Sequence, residues 1–415
     1  MSALEHLVRE EHGRLVASLA RTTGGDLQLA EDVLHEAIIA AIEQWGDDVP
    51  HNIAGWLLRT ARNKAIDQLR RRGTWQRKAD QLRAEPQEHY VDPFMDDVIE
   101  DERLRLMCTC CHPALSLQAQ VALTLKVVSG LSSEEVARAF LVDRTTMQQR
   151  IVRAKKKIRF AAIPYEVPPP SELSSRLSAI HRVIYLVFTE GWAATHGPEL
   201  VRGELCDEAI RLAQVLVAQV PDDGETHGLL SLMWLMDSRR TTRIDNRGLP
   251  VLLPDQDRGR WDRRSIALGM AALGAAVRRG PPGPYTLQAA ISSVHTRALT
   301  ADQTDWHEIV ALYDLLVQST PSATVRLNRA AAVGMAFGPR RGLDQLDALG
   351  DEPALARSHL LRSARAAFLE RLGHTDRAVD ALQQALTLVG NGPERRWLQG
   401  QITRLLSTSD LAGDA

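Results

Sequence analysis

The stretch LSSEEVARAFLVDRTTMQQRIVRAKKKI, residues 131–158, decides the fold of the N-terminal part of this chain. Ser132 and Glu135 have the S-x-x-E spacing of a capping box, which predicts the start of a helix. Residues 141–142 are predicted to form a turn, and Asp143 is predicted to cap a second helix. Two short helices joined in this way are typical of a helix-turn-helix, although many such motifs carry glycine in the turn.

The second helix of this motif carries side chains suited to nucleic acid. Polar groups in its first turns can address base edges, and the cations that follow can face phosphates. The predicted contacts to duplex DNA are Arg144, Thr145, Thr146, Gln148, Gln149, Arg150 and Arg153, continued by Lys155, Lys156 and Lys157. Val136, Ala137 and Phe140 are predicted to face inward. The alternative is a surface helix with a solvated charged face, but the caps, turn and basic tail together favour DNA binding.

A second basic segment, IAGWLLRTARNKAIDQLRRR, occupies residues 53–72. Residues 53–83 hold nine Lys/Arg against two Asp/Glu, and residues 138–160 hold eight against one. Because the whole chain has a net charge of −2, positive charge is concentrated in two places, as in a protein that grips two stretches of nucleic acid. Trp56 is predicted to be a core residue. Asn63, among the cations, can equally read an unstacked base or make a structural hydrogen bond.

Two other stretches predict domain boundaries. Residues 85–103 hold eight acidic residues and one basic residue, with two prolines, and are predicted to form an extended linker. Residues 163–170 read IPYEVPPP, and a triple proline cannot continue a helix. The predicted organisation is a first domain at 1–83, an acidic linker at 84–103, a helix-turn-helix domain at 104–162, a proline-rich connector at 163–175 and a C-terminal domain at 176–415.

Composition predicts an all-α fold, because only 5% of residues are aromatic while alanine and leucine abound. In the C-terminal part a small-large-small spacing recurs at Ala378, Leu382 and Ala385, at Gly342, Leu346 and Leu349, and at Ala209, Ala213 and Leu216. This spacing indicates a repeat-like solenoid of helix pairs similar to tetratricopeptide repeats. The alternative is an antiparallel helical bundle with alanines at close crossings. Residues 239–284 do not fit the repeat.

No segment has the features of a signal peptide or of a span of about 20 apolar residues, so a cytoplasmic protein without membrane contact is expected. Four cysteines fit a reducing compartment. The CTCCH sequence at 108–112 is too compressed for a zinc site, so its cysteines are expected to be buried small side chains and no metal or cofactor is expected.

Two further groups of polar residues in the C-terminal part could be taken for active-site or metal-site residues. The group Asp255, Asp257 and Asp262 lacks metal-binding spacing and is interpreted as a helix-start network. A second group, Asp305, His295 and His307, has no nucleophile beside it, so the chain is not expected to be an enzyme.

The stretch LAEDVLHEAIIAAIEQW, residues 29–45, followed by the basic segment 53–72, resembles region 2 of bacterial sigma-70-type factors of the extracytoplasmic-function class. Residues 117–158 resemble their region 4. Further segments, including TEGWAATHG, DQDRGRWD and GPYTLQAAISSVHTRA, resemble the C-terminal extension of a subgroup with a tetratricopeptide-like domain. The resemblance therefore extends over nearly the whole chain.

This resemblance implies a function for each part. Asp32 and Glu36 match the surface that docks on the beta-prime clamp helices of core RNA polymerase, and region 4 implies a contact with the beta flap. Residues 46–52 match the loop that holds a flipped −10 base, residues 144–150 match the −35 recognition helix, and the acidic linker would follow the RNA path. The residues that match the −10-binding helix are Arg59, Arg62, Asn63, Lys64 and Arg70.

The function implied is that of an alternative sigma factor that directs initiation at selected promoters. Its C-terminal domain would modulate activity, either as a tethered switch on the first two domains or by holding a protein or peptide ligand. The alternative is a helix-turn-helix transcription regulator with a helical sensor domain, which would bind duplex DNA without replacing the polymerase sigma subunit.

Overall fold

The computed structural model describes residues 3–45, 50, 52–71, 95–140, 142–356 and 358–413. Helices make up 76% of the structure, and the described ranges contain isolated β-bridges but no strand, which confirms the all-α prediction. None of the helices in these ranges combines the length and apolar character that crossing a bilayer requires. The chain divides into two compact units, Met1–Leu186 and Val187–Ala415.

The first unit is assembled around its N-terminal helix. The helices are α1 (Ala3–Thr22), α2 (Leu27–Trp45), α3 (Ile53–Arg71), α4 (Met95–Cys110), α5 (Leu117–Leu123), α6 (Ser133–Phe140), α7 (Arg144–Phe160) and the first part of α8 (Pro170–Trp192). Helix α5 continues into a π-helical turn, Thr124–Val128. Helix α1 packs on α2, α3, α4 and this turn. A Cβ atom at Gly13 would lie 2.2 Å from the Val128 carbonyl oxygen, so this close approach requires glycine.

The acidic stretch differs from the sequence prediction at its C-terminal end. Residues 72–94 lie outside the described part of the chain, but the backbone from Met95 onward is α-helical, whereas an extended linker was expected as far as Arg103. Helix α4 packs against α1, and Glu102 is buried at this contact beside the cations Arg21 and Arg105. This tertiary contact stabilises a helix in a sequence whose charge alone indicated an extended chain.

The triple proline leads into a helix. Pro170 is the first residue of α8, where the missing N–H of proline has no cost. Before it, the Tyr165 hydroxyl lies 2.9 Å from the Ala17 carbonyl oxygen and 3.2 Å from the Glu102 carbonyl oxygen. Part of the segment predicted to be a connector is therefore held against the first unit.

Three cysteines of the CTCCH sequence are buried in the first unit, which confirms their predicted burial. Burial raises the pKa of the Cys108 thiol to about 11 and that of the Cys111 thiol to about 12. These thiols therefore stay protonated at neutral pH. In the described ranges no group of three His, Cys, Asp or Glu side chains is arranged to hold a metal ion.

In the second unit most packing joins helices that follow one another in the chain. They are α9 (Gly203–Gln219), α10 (Gly224–Asp237), α11 (Arg263–Arg278), α12 (Pro284–Arg297), α13 (Trp306–Ser319), α14 (Ala323–Phe337), α15 (Pro339–Asp347), α16 (His359–Arg371), α17 (Thr375–Leu388) and α18 (Gly392–Gly413). The predicted small-large-small positions of α9, α15 and α17 are buried. Between α10 and α11 the chain forms short 3-10 turns, where the repeat was predicted to fail. The tetratricopeptide assignment itself stays a prediction.

Candidate nucleic-acid and polymerase interfaces

Two local hydrogen-bond networks start the helices of the helix-turn-helix. The Ser132 backbone N–H donates to Glu135 Oε2 at 2.7 Å, and the Glu135 N–H donates to Ser132 Oγ at 3.1 Å. The Asp143 carboxylate accepts from the Thr146 N–H at 2.7 Å and from its hydroxyl at 2.5 Å, and these bonds lower the pKa of Asp143. Both caps predicted from the sequence are confirmed.

Helix α7 has a buried face and an exposed face. Met147, Ile151, Ala154 and Ile158 are buried at helical spacing. The exposed members of the predicted DNA-contact set are Arg144, Thr145, Gln148, Gln149 and Arg153. The other two, Thr146 and Arg150, are half-buried, and the Thr146 hydroxyl is already engaged in the cap. Beneath the motif Val136 and Ala137 face inward as predicted, while the side chain of Phe140 lies outside the described residues.

Lys155 was predicted to add to the basic surface of α7, but in this structure its side chain is buried and does not belong to that surface. Its ammonium bonds to the Glu31 carboxylate of α2 and lies 3.1 Å from Gln28 Oε1. Lys155 is 9% exposed and Glu31 is 2% exposed, so this is a buried ion pair. Lys126 of the π turn lies 3.8 Å from the same carboxylate. The cause is spacing, because Lys155 follows Ile151 by four residues and shares its packed face.

The C-terminal half of α7 makes a second ion pair with the start of α2, where Arg159 Nη2 lies 3.0 Å from Asp26 Oδ1. Lys157 Nζ donates to the Ala114 carbonyl oxygen. Helix α7 is therefore divided along its length. Its first turns present polar and cationic side chains, and its last turns attach the helix to the rest of the first unit.

Helix α3 presents most of its predicted −10 contacts to solvent. Leu57, Ala61 and Ala65 form its buried side. Its start is fixed by Asn52, whose Oδ1 accepts from the Gly55 N–H at 2.8 Å. The exposed members of the predicted −10 set are Arg59, Arg62, Asn63 and Arg70.

The remaining tryptophan and lysine of α3 are tied to α2. Trp56 is half-buried, and its ring packs edge-to-face on Trp45, with centroids 5.0 Å apart. Lys64 is half-buried, and its Nζ lies 3.6 Å from Glu36 Oε2. Of the loop predicted to hold a flipped base, only residues 50 and 52 are described.

Helix α2 carries the predicted polymerase residues. Asp32 is half-buried, and its Oδ1 accepts from Gln28 Nε2 at 2.8 Å. Glu36 accepts from Gln68 Nε2 at 2.9 Å and lies beside Lys64, so the predicted polymerase and −10 surfaces adjoin.

Two isoleucines of α2 are exposed, which was not predicted from the sequence. Ile39 is 55% exposed and Ile42 is 67% exposed. Conversely Glu31 is buried, and its position four residues after Leu27 on the apolar face was the available signal.

Comparisons with known proteins agree with this arrangement. Residues 8–74, which span α1 to α3, match Sigma-70 region 2, and residues 106–158, which end in α7, match Sigma-70 region 4. Residues 176–277 match a family of unknown function, DUF6596. Uncharacterized protein R00370 of Rhizobium meliloti (strain 1021) is 39% identical over 92% of this chain and 90% of its own length. The ECF RNA polymerase sigma factor SigE of Mycolicibacterium smegmatis is 29% identical over 38% of this chain and 61% of its own length.

Two regions characteristic of sigma-70 proteins are thus matched, the first over α1 to α3 and the second over the helix-turn-helix that ends in α7. The chain belongs to the sigma-70 family of sigma factors. It also shares a family with the Rhizobium protein, which it matches over nearly the whole length of both chains.

Proposed function

We propose that this sigma factor is an alternative sigma factor of the extracytoplasmic-function class, which binds core RNA polymerase and directs initiation at selected promoters. The observation that carries the proposal is the exposed polar face at the start of α7, opposite a buried apolar face. A capped helix of this kind at the end of a helix-turn-helix fits the major groove, with its N-terminal residues toward base edges. Arg144 and Gln148 are the proposed −35 reading residues, since arginine pairs with guanine and glutamine with adenine.

Helix α3 is proposed to bind the opened strand of the −10 element. Arg59 and Arg62 would hold phosphates, and Asn63 offers both a donor and an acceptor to an unstacked base. All three side chains are exposed on the side of α3 away from its buried alanines. Opening the duplex costs a few kcal/mol per unstacked step, which these contacts would offset.

Helix α2 is proposed to dock on the beta-prime clamp, with region 4 placed against the beta flap. Ile39 and Ile42 expose apolar surface about one turn apart, and Asp32 lies about two turns before Ile39. A neighbouring pair of exposed isoleucines on one helix is suited to a protein partner. Since core polymerase acts in the cytoplasm, the proposal includes that location, and it assigns the chain no catalytic step and no cofactor.

Promoter binding requires the first unit to open. The −35 and −10 elements are about 25 base pairs apart, or about 85 Å at the rise of duplex DNA. A compact unit the size of Met1–Leu186 has a radius of gyration of only about 16 Å. Helices α3 and α7 cannot reach both elements while Lys155 and Glu31 hold α7 on α2. We infer that polymerase binding separates α2 from α7 and breaks this buried ion pair.

The C-terminal helical domain is proposed to modulate activity. One hypothesis makes it a tethered switch that acts on the first two domains, and the other makes it a receptor for a protein or peptide ligand. Truncation distinguishes these two hypotheses. A stop codon after Leu186 keeps the whole first unit, whereas one after Pro170, in the predicted connector, removes part of it. Arg176 of α8 donates to the Cys108 carbonyl oxygen at 3.0 Å and would be lost with the shorter product. A tethered switch predicts changed promoter activity in the purified truncated protein, whereas the receptor hypothesis predicts a partner that co-purifies only with the full chain.

The central test is run-off transcription with purified core polymerase on DNA from upstream of the gene. The full chain should give a defined transcript, and Arg144→Ala with Gln148→Ala should abolish it while leaving polymerase binding intact. A gel shift distinguishes the helix-turn-helix regulator, because a sigma factor should retain promoter DNA only with core polymerase present. Tight promoter binding by the protein alone, with no transcript from any template, would contradict the proposal.

A further inference from the structure

An arginine cluster in the second unit holds more positive charge than nearby carboxylates of the described residues neutralise. It consists of Arg239, Arg243 and Arg258. The guanidinium carbons of Arg239 and Arg243 lie 4.9 and 4.6 Å from the ring centroid of Trp192. These residues belong to the irregular segment between α10 and α11 and to the end of α8.

Arg239 has the weakest set of partners in the cluster. Among the described residues its side chain makes one long polar contact, from Nη1 to Gln256 Oε1 at 3.5 Å, and no ion pair. The next residue, Arg240, is fully paired, with Nη2 2.6 Å from a carboxylate oxygen of Asp207 and of Asp237. The fold therefore supplies two carboxylates to one arginine and none to its neighbour.

Arg258 lies deeper and is 6% exposed. Its Nη1 donates to the His295 carbonyl oxygen at 2.7 Å and its Nη2 to Thr304 Oγ1 at 2.9 Å, but its Nε has no partner among the described residues. Trp261, 5.0 Å from the Arg258 guanidinium, is buried with its indole Nε1 unpartnered, and His295 Nδ1 is buried and unpartnered as well. Three nitrogen atoms without a partner thus lie on or beside one arginine.

The pKa shifts of the cluster agree with its shortage of counterions. Burial, followed by the charges of Arg243 and Arg258, lowers the pKa of Arg239 to about 9. Burial, with some relief from Glu394, lowers the pKa of Arg243 to about 10. Burial and two arginine charges lower the pKa of His295 to about 4. Cations that lose much of their hydration without gaining a counterion are costly, and buried donors in native proteins are nearly always satisfied.

We propose that the arginine cluster is a binding site for a small anion that carries a carboxylate or phosphate group. Such groups only accept hydrogen bonds, and the cluster offers cations and the unpartnered N–H groups of Arg258 Nε and Trp261 Nε1. Arg239 is half-buried and gives access from solvent, while Arg258 and Trp261 lie too deep for the surface of a macromolecule. Except for His295, the residues of this site lie within 176–277, the part of the chain that matches a family of unknown function. The site is independent of the proposed sigma activity.

The test is isothermal titration calorimetry of the full chain with inorganic phosphate and with succinate, against sodium chloride at matched ionic strength. At least one of the two should bind saturably at one site per chain and raise the thermal midpoint. Phosphate binding alone would assign phosphate-bearing ligands, and succinate binding alone would assign carboxylates. Failure of both anions to bind would overturn the proposal.

Arg239→Met should weaken anion binding at least tenfold, and Arg243→Met should weaken it less. Arg260→Met is the matched control, because this exposed arginine lies in the same segment and is expected to bind the anion like the natural chain. Without ligand, Arg239→Met should have an unchanged or higher thermal midpoint, since an unneutralised cation is removed. A lower midpoint, or anion binding equal to that of the natural chain, would show a structural role and overturn the proposal.

Discussion

The two units treat buried positive charge in opposite ways. In the first unit Lys155 is paired with Glu31 and bonded to Gln28, so its charge is matched inside the fold. In the second unit the half-buried Arg239 lies over an indole ring, feels the charges of two other arginines and makes no ion pair with a carboxylate of the described residues. A matched charge holds two helices together, whereas an unmatched charge is tolerated where a ligand supplies the counterion. The same residue class thus serves attachment in one place and recognition in the other.

The difference follows from how desolvation is offset. Removing one partner of a buried pair leaves the other charge without water and without a counterion, which costs more than the pair contributes. Removing a desolvated charge that has no counterion should instead leave the free energy of unfolding unchanged or increase it. Substitutions at Glu31 and at Arg239 should therefore change the free energy of unfolding in opposite directions.

The largest expected effect is that of Glu31→Ala, which leaves Lys155 and Lys126 facing each other in a buried site. We expect a loss of about 3–5 kcal/mol in the free energy of unfolding, measured by urea denaturation of the full chain. Glu31→Leu combined with Lys155→Met should restore most of it, because no charge remains buried. If Glu31→Ala alone is as stable as the natural chain, the proposed difference between the two units is wrong.

The pH dependence of stability provides the next test, at His12 in the first unit. Burial, only partly opposed by Glu31, lowers the pKa of His12 from 6.5 to about 4. Between these values the unfolded chain binds a proton that the folded chain does not. This contribution to stability is therefore complete above pH 6.5 and is lost as the pH falls toward 4, by about 3 kcal/mol.

His12→Gln should remove this part of the decline, as seen by comparing denaturation midpoints at pH 7.5 and pH 5. Burial and the arginine cluster lower the pKa of His295 to about 4 as well, so a decline of the same sign should remain from the second unit. A His12→Gln chain with an unaltered pH profile would contradict the assignment.

The exposed cations of α7 sharpen the comparison, because they share a helix with Lys155. Arg144→Ala should cost about 1–3 kcal/mol in promoter affinity and relax the preference at one base pair. Lys156→Ala should weaken binding evenly across sequences and reduce the salt slope by about one. Both are measured with the assembled polymerase on variant −35 sequences. Equal losses on every sequence for Arg144→Ala would show that it contacts phosphate only.

The smallest effect on stability is expected at Ile42, on the same helix as Glu31. Ile42 is 67% exposed, so Ile42→Ser should change the free energy of unfolding by no more than about 0.5 kcal/mol. Affinity for core polymerase should nevertheless fall, because apolar surface is removed from the proposed docking side of α2. Ile39→Ser should also lower the affinity for core polymerase. Unchanged polymerase binding in both variants would remove the isoleucines from that interface.

Much of the helix-turn-helix was predictable because its determinants are local. The bonds of the Ser132–Glu135 box and the Asp143 cap join residues three apart, and the buried face of α7 follows from periodicity. The misassignments involve residues distant in the chain. Lys155 meets Glu31 across 124 positions, and the helical form of the acidic stretch depends on packing of α4 against α1.

The sequence by itself determined the helical class, the caps, the two basic helices and the order of regions that marks a sigma-70 protein. These depend on spacing along one chain segment, where neighbouring residues interact whatever the rest of the fold does. Only the tertiary structure decided which charges are available for binding. In the sequence Lys155 and Arg239 are simply two cationic residues. In the fold, desolvation and the presence or absence of a neighbouring carboxylate decide whether a cation joins two helices or remains available to bind an anion.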